Sequence, residues 1–238
     1  MLQHFVKSIK YSKILVSDRR FNQILKLNYC KKEERQAESC NENSSITELI
    51  RHNFHSDCEE GINEQINCEL YASYAYFYMS NCLSRPDVAL FGFASFFLEA
   101  SWEEQKHAKQ LVDFLNKRGG TVQLCDVLKP EPADFHNPET ALEESILLEK
   151  NVLKNIEELH KKAVSHNDVH LQDFLEGQMI PEQYEGLRQL GEMLANVRRV
   201  GPGVGVVLLD RDLLRHPPSP HGSPEPNVTS SASYKKHD

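Results

Sequence analysis

The sequence contains a single tryptophan, no long apolar run and, beyond its first 32 residues, fewer basic than acidic residues. No stretch approaches the roughly 18 consecutive apolar residues that a membrane helix needs, so we expect a soluble protein without a membrane partner. Six cysteines are present, but they form no Cys-x-x-Cys pair and have no regular spacing. This pattern argues against zinc-ribbon and thioredoxin-like motifs and predicts free thiols in a reducing compartment.

The charge is distributed unevenly along the chain. Residues 1–32 carry eight Lys or Arg and one acidic residue, Asp18, so they contribute +7 to a net charge of −8 and leave −15 on the remainder. An acidic body repels the phosphate backbone of nucleic acids and attracts cations. We therefore expect no nucleic-acid partner.

The length of 238 residues predicts one domain with extensions at both ends. Residues 1–52 lack a sustained apolar period and are predicted to be an N-terminal extension, either disordered or an amphipathic targeting segment. Residues 216–238 are rich in Pro and Ser and are predicted to be a disordered tail. The expected location is the cytoplasm, and the mitochondrion is the alternative if the basic extension is a presequence.

Four stretches show the three-and-four apolar spacing of amphipathic α-helices. They run from Ser56 to about Leu83, from Leu90 to Arg118, from about Pro138 to Ser165 and from about Val169 to Arg199. The connection 119–137 is long for neighbouring helices and predicts a crossover along the bundle. The predicted fold is therefore all-α, with a four-helix bundle over residues 53–200.

Local signals suggest where these helices begin and where one is weak. Ser56 and Glu59 have capping-box spacing, and Asp87 can cap the second helix. Pro181 lies inside the predicted fourth helix, where a proline costs about 3 kcal/mol or produces a kink. We therefore expect the geometry near Pro181 to be disturbed.

Each predicted helix carries polar residues where its apolar face should continue. These residues are Glu69, Glu104, His107, Glu149 and Gln183. A single Glu-x-x-His is more often a surface pair or a satisfied core histidine than a metal site. Several buried carboxylates in one core, however, repel each other strongly unless a cation compensates them. Carboxylates with one imidazole suit iron, manganese or zinc, and an oxygen-rich set on four helices fits a dinuclear iron site.

Several motifs match a known family in order and spacing. They are Asn67–Tyr74, Asp87–Leu90, Glu103–Ala108, Arg118–Gly120, Leu148–Val152 and Glu182–Gln183. In these motifs the chain resembles ferritin of the catalytic heavy-chain type. The resemblance implies a ferroxidase that oxidises Fe(II) with dioxygen and stores Fe(III) mineral in a cage of 24 subunits, alone or with other ferritin subunits. It also implies that residues 201–215 form a short fifth helix, which is apolar enough to need partners.

The resemblance also implies a set of site residues. They are Glu69, Tyr76, Glu103, Glu104, His107, Glu149 and Gln183. Glu69, Glu104 and His107 are implied to bind one iron ion. Glu104 and Glu149 are implied to bind the other, with neutral Gln183 as a weaker ligand. Glu103 and Tyr76 are implied to support the site. Tyr76 would form a hydrogen bond to the cluster or donate an electron to it, and ordinary core packing is the alternative for this residue.

A second implied feature is an iron channel. Asp173 and Glu176, with His160 nearby, match the acidic residues that line the three-fold channels of ferritins. A ring of carboxylates concentrates cations at a channel mouth. From the residues alone, a solvated acidic surface is the alternative.

Two lysines depart from the family pattern. Lys106 and Lys109 lie on the helix face that the resemblance turns towards the cavity, where ferritins usually have acidic residues. We therefore expect iron oxidation to be intact and mineral nucleation to be slow. The alternative function is a non-catalytic subunit that assembles with an active one. A small cage that coats DNA is disfavoured by the acidic body.

Overall fold

The computed structural model describes residues 44–130 and 135–218, so the predictions for residues 1–43 and 219–238 lie outside the described chain. The described residues form helices and no strands. The helices are α1 (Ser44–Ile50), α2 (Ser56–Leu83), α3 (Phe91–Lys117), α4 (Pro138–Ser165), α5 (Val169–Phe174), α6 (Ile180–Val200) and α7 (Val204–Arg215). A π-helix, Leu175–Met179, joins α5 to α6. Within the described ranges, none of the helices is both long and apolar enough to cross a membrane.

The apolar faces of four helical units meet in one core. The units are α2, α3, α4 and the segment from α5 through α6; α2 packs mainly against α3, and α4 packs against α6. Ile62, Phe97, Leu111 and Ile156 are completely buried in this core. Each such side chain contributes about 1.5–3 kcal/mol to stability. The predicted all-α bundle is confirmed, and the ends of its helices lie within about one residue of the prediction.

The connection between α3 and α4 runs along the whole bundle. Near its start, Asn63 of α2 donates to Thr121 O at 3.1 Å and accepts from Gln123 N at 2.8 Å. Near its end, Arg85 just beyond α2 contacts His136 Nε2 at 2.8 Å. The connection therefore passes from one end of α2 to the other, as predicted for a crossover.

The capping box predicted at Ser56 is wrong. The N-cap of α2 is His55, whose Nδ1 accepts the Asp57 amide at 3.1 Å. The carboxylate of Glu59 is engaged instead by Arg51 at 2.6 Å and by the amide of Thr121, so it does not turn back to cap its own helix. A histidine nitrogen thus replaces the predicted serine oxygen.

The predicted cap at Asp87 is also wrong. Asp87 forms an ion pair with Arg85, and α3 begins four residues later without a side-chain cap from its own N-cap residue. The missing acceptor comes from α7, because Asp210 Oδ1 accepts the amides of Gly92 at 2.7 Å and Phe93 at 3.0 Å. A negatively charged carboxylate at a helix N-terminus also interacts favourably with the helix dipole. The helix α7, which is the predicted fifth helix, therefore caps α3.

One side of α7 packs on the bundle and another side is exposed. Val206, Leu209 and Leu213 are half-buried against the core, whereas Val204 and Leu208 are exposed. The predicted short fifth helix is present and docked. A single chain leaves part of the apolar surface of α7 exposed.

Pro181 lies where its missing N–H has little cost. The Ile180 amide donates to Leu175 O, five residues back, so the helix has changed register just before the proline. Pro181 then occupies the first turn of α6, a position that tolerates proline. Gln183, two residues later, remains buried. The predicted disturbance is thus taken up by the π-helix and does not expel Gln183 from the core.

Part of the predicted N-terminal extension is attached to the bundle. Arg51, directly after α1, donates to Phe54 O at 2.9 Å and pairs with Glu59. The guanidinium of Arg51 lies 5.0 Å from the centre of the Phe54 ring, and that of Arg118 lies 4.6 Å from it. These cation–π contacts connect α1 to the start of α2 and the end of α3.

The four cysteines in the described residues are free thiols, as predicted. They are Cys58, Cys68, Cys82 and Cys125, and the first three are buried. Burial, with the negative charge of Asp168, raises the pKa of Cys58 to about 11. The Cys58 thiol is therefore protonated at neutral pH and behaves as a small apolar side chain.

Candidate dinuclear metal centre

Polar side chains from four helices enter the core of the bundle. Glu69 of α2 and Glu104 of α3 are 0% exposed, and His107 of α3 is 6% exposed. Glu149 of α4 and Gln183 of α6 are each 1% exposed. The structure thus buries all five residues that interrupt the predicted apolar faces.

Three of these residues form a compact cluster. One ligand atom from each of Glu69, Glu104 and His107 lies within 4.8 Å of the other two. Glu104 and His107 are three residues apart on α3 and therefore share a helix face, which places Glu104 Oε2 3.3 Å from His107 Nδ1. Glu69 joins them because α2 packs along α3. Two carboxylates and one imidazole are a suitable ligand set for iron, manganese or zinc.

Glu69 has the environment of a carboxylate that needs a cation. Burial, and after it the negative charge of Glu104, raises the pKa of Glu69 well above its usual value. Gln65 Nε2 donates to Glu69 Oε1 at 2.7 Å, while Glu69 Oε2 accepts no hydrogen bond. A divalent ion would stabilise the ionised form and occupy the unused oxygen.

His107 lies between two acidic side chains. Burial lowers the pKa of His107, but hydrogen bonds to Glu104 and Glu182 raise it to about 11, so the imidazole carries a positive charge at neutral pH. Glu182 Oε2 of α6 lies 3.3 Å from His107 Nε2. A metal ligand must be the neutral imidazole, so metal binding would displace a proton from His107.

Glu182 is a site residue that sequence reasoning missed. It belongs to one of the matching motifs, but its position is off the apolar stripe of α6, so periodicity gives it no role; in the structure it is half-buried. The one available signal was its place directly before Gln183. Periodicity identifies buried ligands and overlooks a side chain that reaches the site from its edge.

Tyr76 and Glu149 connect α2 and α4 at the same level. The Tyr76 hydroxyl donates to Glu149 Oε1 in a short hydrogen bond, and the ring stacks on Phe97 with centroids 6.0 Å apart. Burial, and then the charge of Glu149, raises the pKa of Tyr76, which keeps the phenol protonated as a donor. Tyr76 is thus more than a packing residue, since it orients Glu149. Its role as an electron donor stays a prediction.

The two remaining predicted site residues, Gln183 and Glu103, are each adjacent in sequence to a residue of the site. Gln183 follows Glu182, and its buried Oε1 accepts no hydrogen bond. Glu103 precedes Glu104 and is half-buried. An unused carbonyl oxygen suits a weak neutral ligand, but the ligand role of Gln183 and the supporting role of Glu103 stay predictions.

The predicted channel residues lie away from the core. His160 Nε2 of α4 is 2.5 Å from Glu176 Oε1 in the π-helix, and the Glu176 side chain is exposed. Asp173 of α5 is also exposed. His160 is thus in contact with Glu176. Their role as an iron channel stays a prediction.

Comparison with known proteins agrees with this architecture. Residues 59–200 match the family model described as a ferritin-like domain. The chain is 42% identical over 164 residues to soma ferritin of Lymnaea stagnalis, and the alignment covers 69% of this chain and 94% of that protein. The matched residues cover nearly all of the four bundle units and include Glu69, Glu104, His107, Glu149 and Gln183. The chain therefore belongs to the ferritin family, whose members bind and store iron in multi-subunit shells.

Proposed function

We propose that this chain is a catalytic ferritin subunit, which oxidises Fe(II) with dioxygen and delivers Fe(III) for storage. The observation that carries the proposal is the buried cluster of Glu69, Glu104 and His107, with Glu149 on a facing helix. Each buried carboxylate costs several kcal/mol unless a cation compensates it. A subunit without a metal-dependent role gains nothing from such a core.

The charge of the cluster favours the oxidation. Two Fe(II) ions lose one electron each, and dioxygen accepts both electrons. Anionic ligands stabilise Fe(III) more than Fe(II), because the attraction grows with the charge of the ion. Glu104 has two carboxylate oxygens and is completely buried in the core, so it is suited to bind both ions.

The neighbouring side chains support uptake and release. Tyr76 holds Glu149 in place through its hydrogen bond. Iron binds the ionised carboxylate of Glu69 and the neutral imidazole of His107, so binding displaces the His107 proton to a nearby acceptor or to solvent. Gln183 contributes no charge, and a product ion bound through it is therefore held more weakly.

The proposal includes assembly into a cage of 24 subunits, alone or with other ferritin chains. Apolar side chains that remain exposed on the single chain support contacts between subunits; on α7 they are Val204, Val207, Leu208 and Leu214. Asp173 and Glu176 would line the iron channels of that cage. The proposed location is the cytoplasm.

Stopped-flow measurement of aerobic Fe(II) oxidation tests the catalytic function. The double variant Glu104→Ala with His107→Ala should lose the rapid phase, with an initial rate more than tenfold below that of the parent. The control Glu157→Ala removes an exposed carboxylate from α4 and should keep the parental rate. Size-exclusion chromatography checks that all three proteins assemble alike.

Two results would contradict the proposal. Parental oxidation by the double variant would show that the reaction occurs elsewhere. Absence of a rapid phase in the parent would support the non-catalytic alternative.

A further inference from the structure

We propose a second metal site on the surface, formed by His55, Asp57 and His166, that binds a divalent transition ion of the Zn²⁺ class. One ligand atom from each residue lies within 4.8 Å of the other two. The carboxylate of Asp57 faces one nitrogen of each imidazole, with Oδ2 2.9 Å from His166 Nε2 and Oδ1 3.6 Å from His55 Nδ1. The two rings are stacked, with centroids 3.5 Å apart.

Two helix ends hold the three ligands. His55 is the N-cap of α2 and Asp57 lies in its first turn, fixed by the hydrogen bond from the Asp57 amide to His55 Nδ1. His166 is the C-cap of α4, where its own amide donates to Lys162 O at 3.1 Å. The backbone positions are thus set by the ends of two long packed helices rather than by a loose surface loop.

The cluster is open to an ion from solvent. The side chains of His55 and Asp57 are 48% and 52% exposed, and that of His166 is 25% exposed. An incoming ion therefore loses little hydration energy and can keep water ligands in its remaining positions. The partly buried His166 gives the site one firmly placed donor.

The donor set selects the class of ion. Two imidazole nitrogens and one carboxylate oxygen suit Zn²⁺, Cu²⁺ and Ni²⁺, whereas Mg²⁺ and Ca²⁺ prefer sites made entirely of oxygen. The ring planes are 11° from parallel, and a metal ion lies in the plane of each imidazole that binds it. One ring therefore turns on binding, and for the more exposed His55 this turn gives up the hydrogen bond from the Asp57 amide to Nδ1.

The proposed ion would cross-link α2 and α4. It joins Asp57 in the first turn of α2 to His166, the C-cap of α4, which are 109 residues apart in the chain. No residue of this site belongs to the buried cluster of Glu69, Glu104 and His107. The surface site therefore stands independently of the proposed ferroxidase function.

Zinc titration of the full-length, iron-free protein by isothermal calorimetry tests the site. The variants His166→Gln and Asp57→Asn should each bind one Zn²⁺ fewer per subunit than the parent. The control His52→Gln changes an exposed histidine three residues before His55 and should bind as the parent does. Because the core cluster can also take Zn²⁺, the same variants are compared in the Glu104→Ala, His107→Ala background, where the same loss is expected.

A spectroscopic readout identifies the ligands directly. Electron paramagnetic resonance with Cu²⁺ in that background should show coupling to two imidazole nitrogens, and to one in His166→Gln. Unchanged Zn²⁺ stoichiometry in both site variants would overturn the proposal, as would an equal loss in His52→Gln. Neither result would affect the Fe(II) oxidation test of the core site.

Discussion

The hydrogen bond from Tyr76 to Glu149 joins two helices inside the core. In Tyr76→Phe the buried carboxylate loses one donor, which costs about 1–3 kcal/mol. We expect the free energy of unfolding of the iron-free protein, measured in urea, to fall by about that amount, and Fe(II) oxidation to slow. The control Tyr74→Phe, at a side chain that is 44% exposed, should change neither. Equal stabilities of the two variants would show that the bond contributes nothing.

Burial of individual site residues was predictable where charge interrupts an apolar pattern. Glu69, Glu104 and Glu149 occupy positions that periodicity assigns to the core, so the sequence itself contains the conflict that a metal would resolve. The contact of Glu182 with His107 was not predictable in this way, because it depends on how α6 is rotated against α3. The ligand roles themselves came from the family resemblance and stay predictions.

At the scale of the helices, the apolar spacing predicted boundaries well and local deviations poorly. The π-helix Leu175–Met179 depends on a one-residue change of register, which leaves the apolar pattern almost unaltered. The cap that Asp210 provides to α3 joins residues 118 positions apart, so no local motif could indicate it. Local sequence predicts where α3 lies, whereas its contact with α7 determines how it begins.

The contact between α7 and the start of α3 leaves no room for a side chain at Gly92. A Cβ built there would lie 1.9 Å from the backbone oxygen of Asp210. Gly92→Ala should therefore displace α7 and lower the free energy of unfolding by about 1–3 kcal/mol. Thermal unfolding measures this loss, and limited proteolysis should show faster cleavage within α7.

A second glycine provides the matched control for Gly92. Gly191 lies inside α6, and a Cβ built there meets nothing within 4 Å. Gly191→Ala should raise stability by up to about 1 kcal/mol, because alanine favours the helix. If both substitutions changed stability in the same direction, the close contact with α7 would not be the cause.

At the scale of the whole assembly, we expect Lys106 and Lys109 to influence where mineral begins to form. Both side chains are exposed on α3, and Lys109 pairs with Asp113 at 2.5 Å, which engages a carboxylate that would otherwise attract iron. We expect fast oxidation but slow growth of iron cores in the parent. Lys106→Glu with Lys109→Glu should give larger cores sooner, as seen by electron microscopy of iron-loaded particles.

The control for the lysine pair makes the same change in net charge on a different helix. Lys150→Glu with Lys161→Glu alters two exposed lysines of α4. It should leave the size and rate of core formation as in the parent. If it accelerated mineral growth as much as the α3 pair, total charge rather than the α3 surface would control nucleation.

The crossover also sets an order of events during folding. Residues 84–90 connect α2 to α3, whereas the longer connection 118–137 separates α3 from α4, and a longer loop costs more entropy to close. We therefore expect the α2–α3 hairpin to form first, with α4 docking once the crossover has a surface to follow. Pulse-labelling hydrogen exchange during refolding should protect α2 and α3 amides ahead of those of α4; simultaneous protection would contradict this order.

In kinetic terms, the metal centre is then assembled in two stages. Glu69, Glu104 and His107 meet in the early hairpin, where a single imidazolium faces two carboxylates. Glu149 arrives with α4 and brings a further buried acid to the same core. The full set of candidate ligands, with Gln183 of α6, is therefore expected to come together only after the early hairpin has formed.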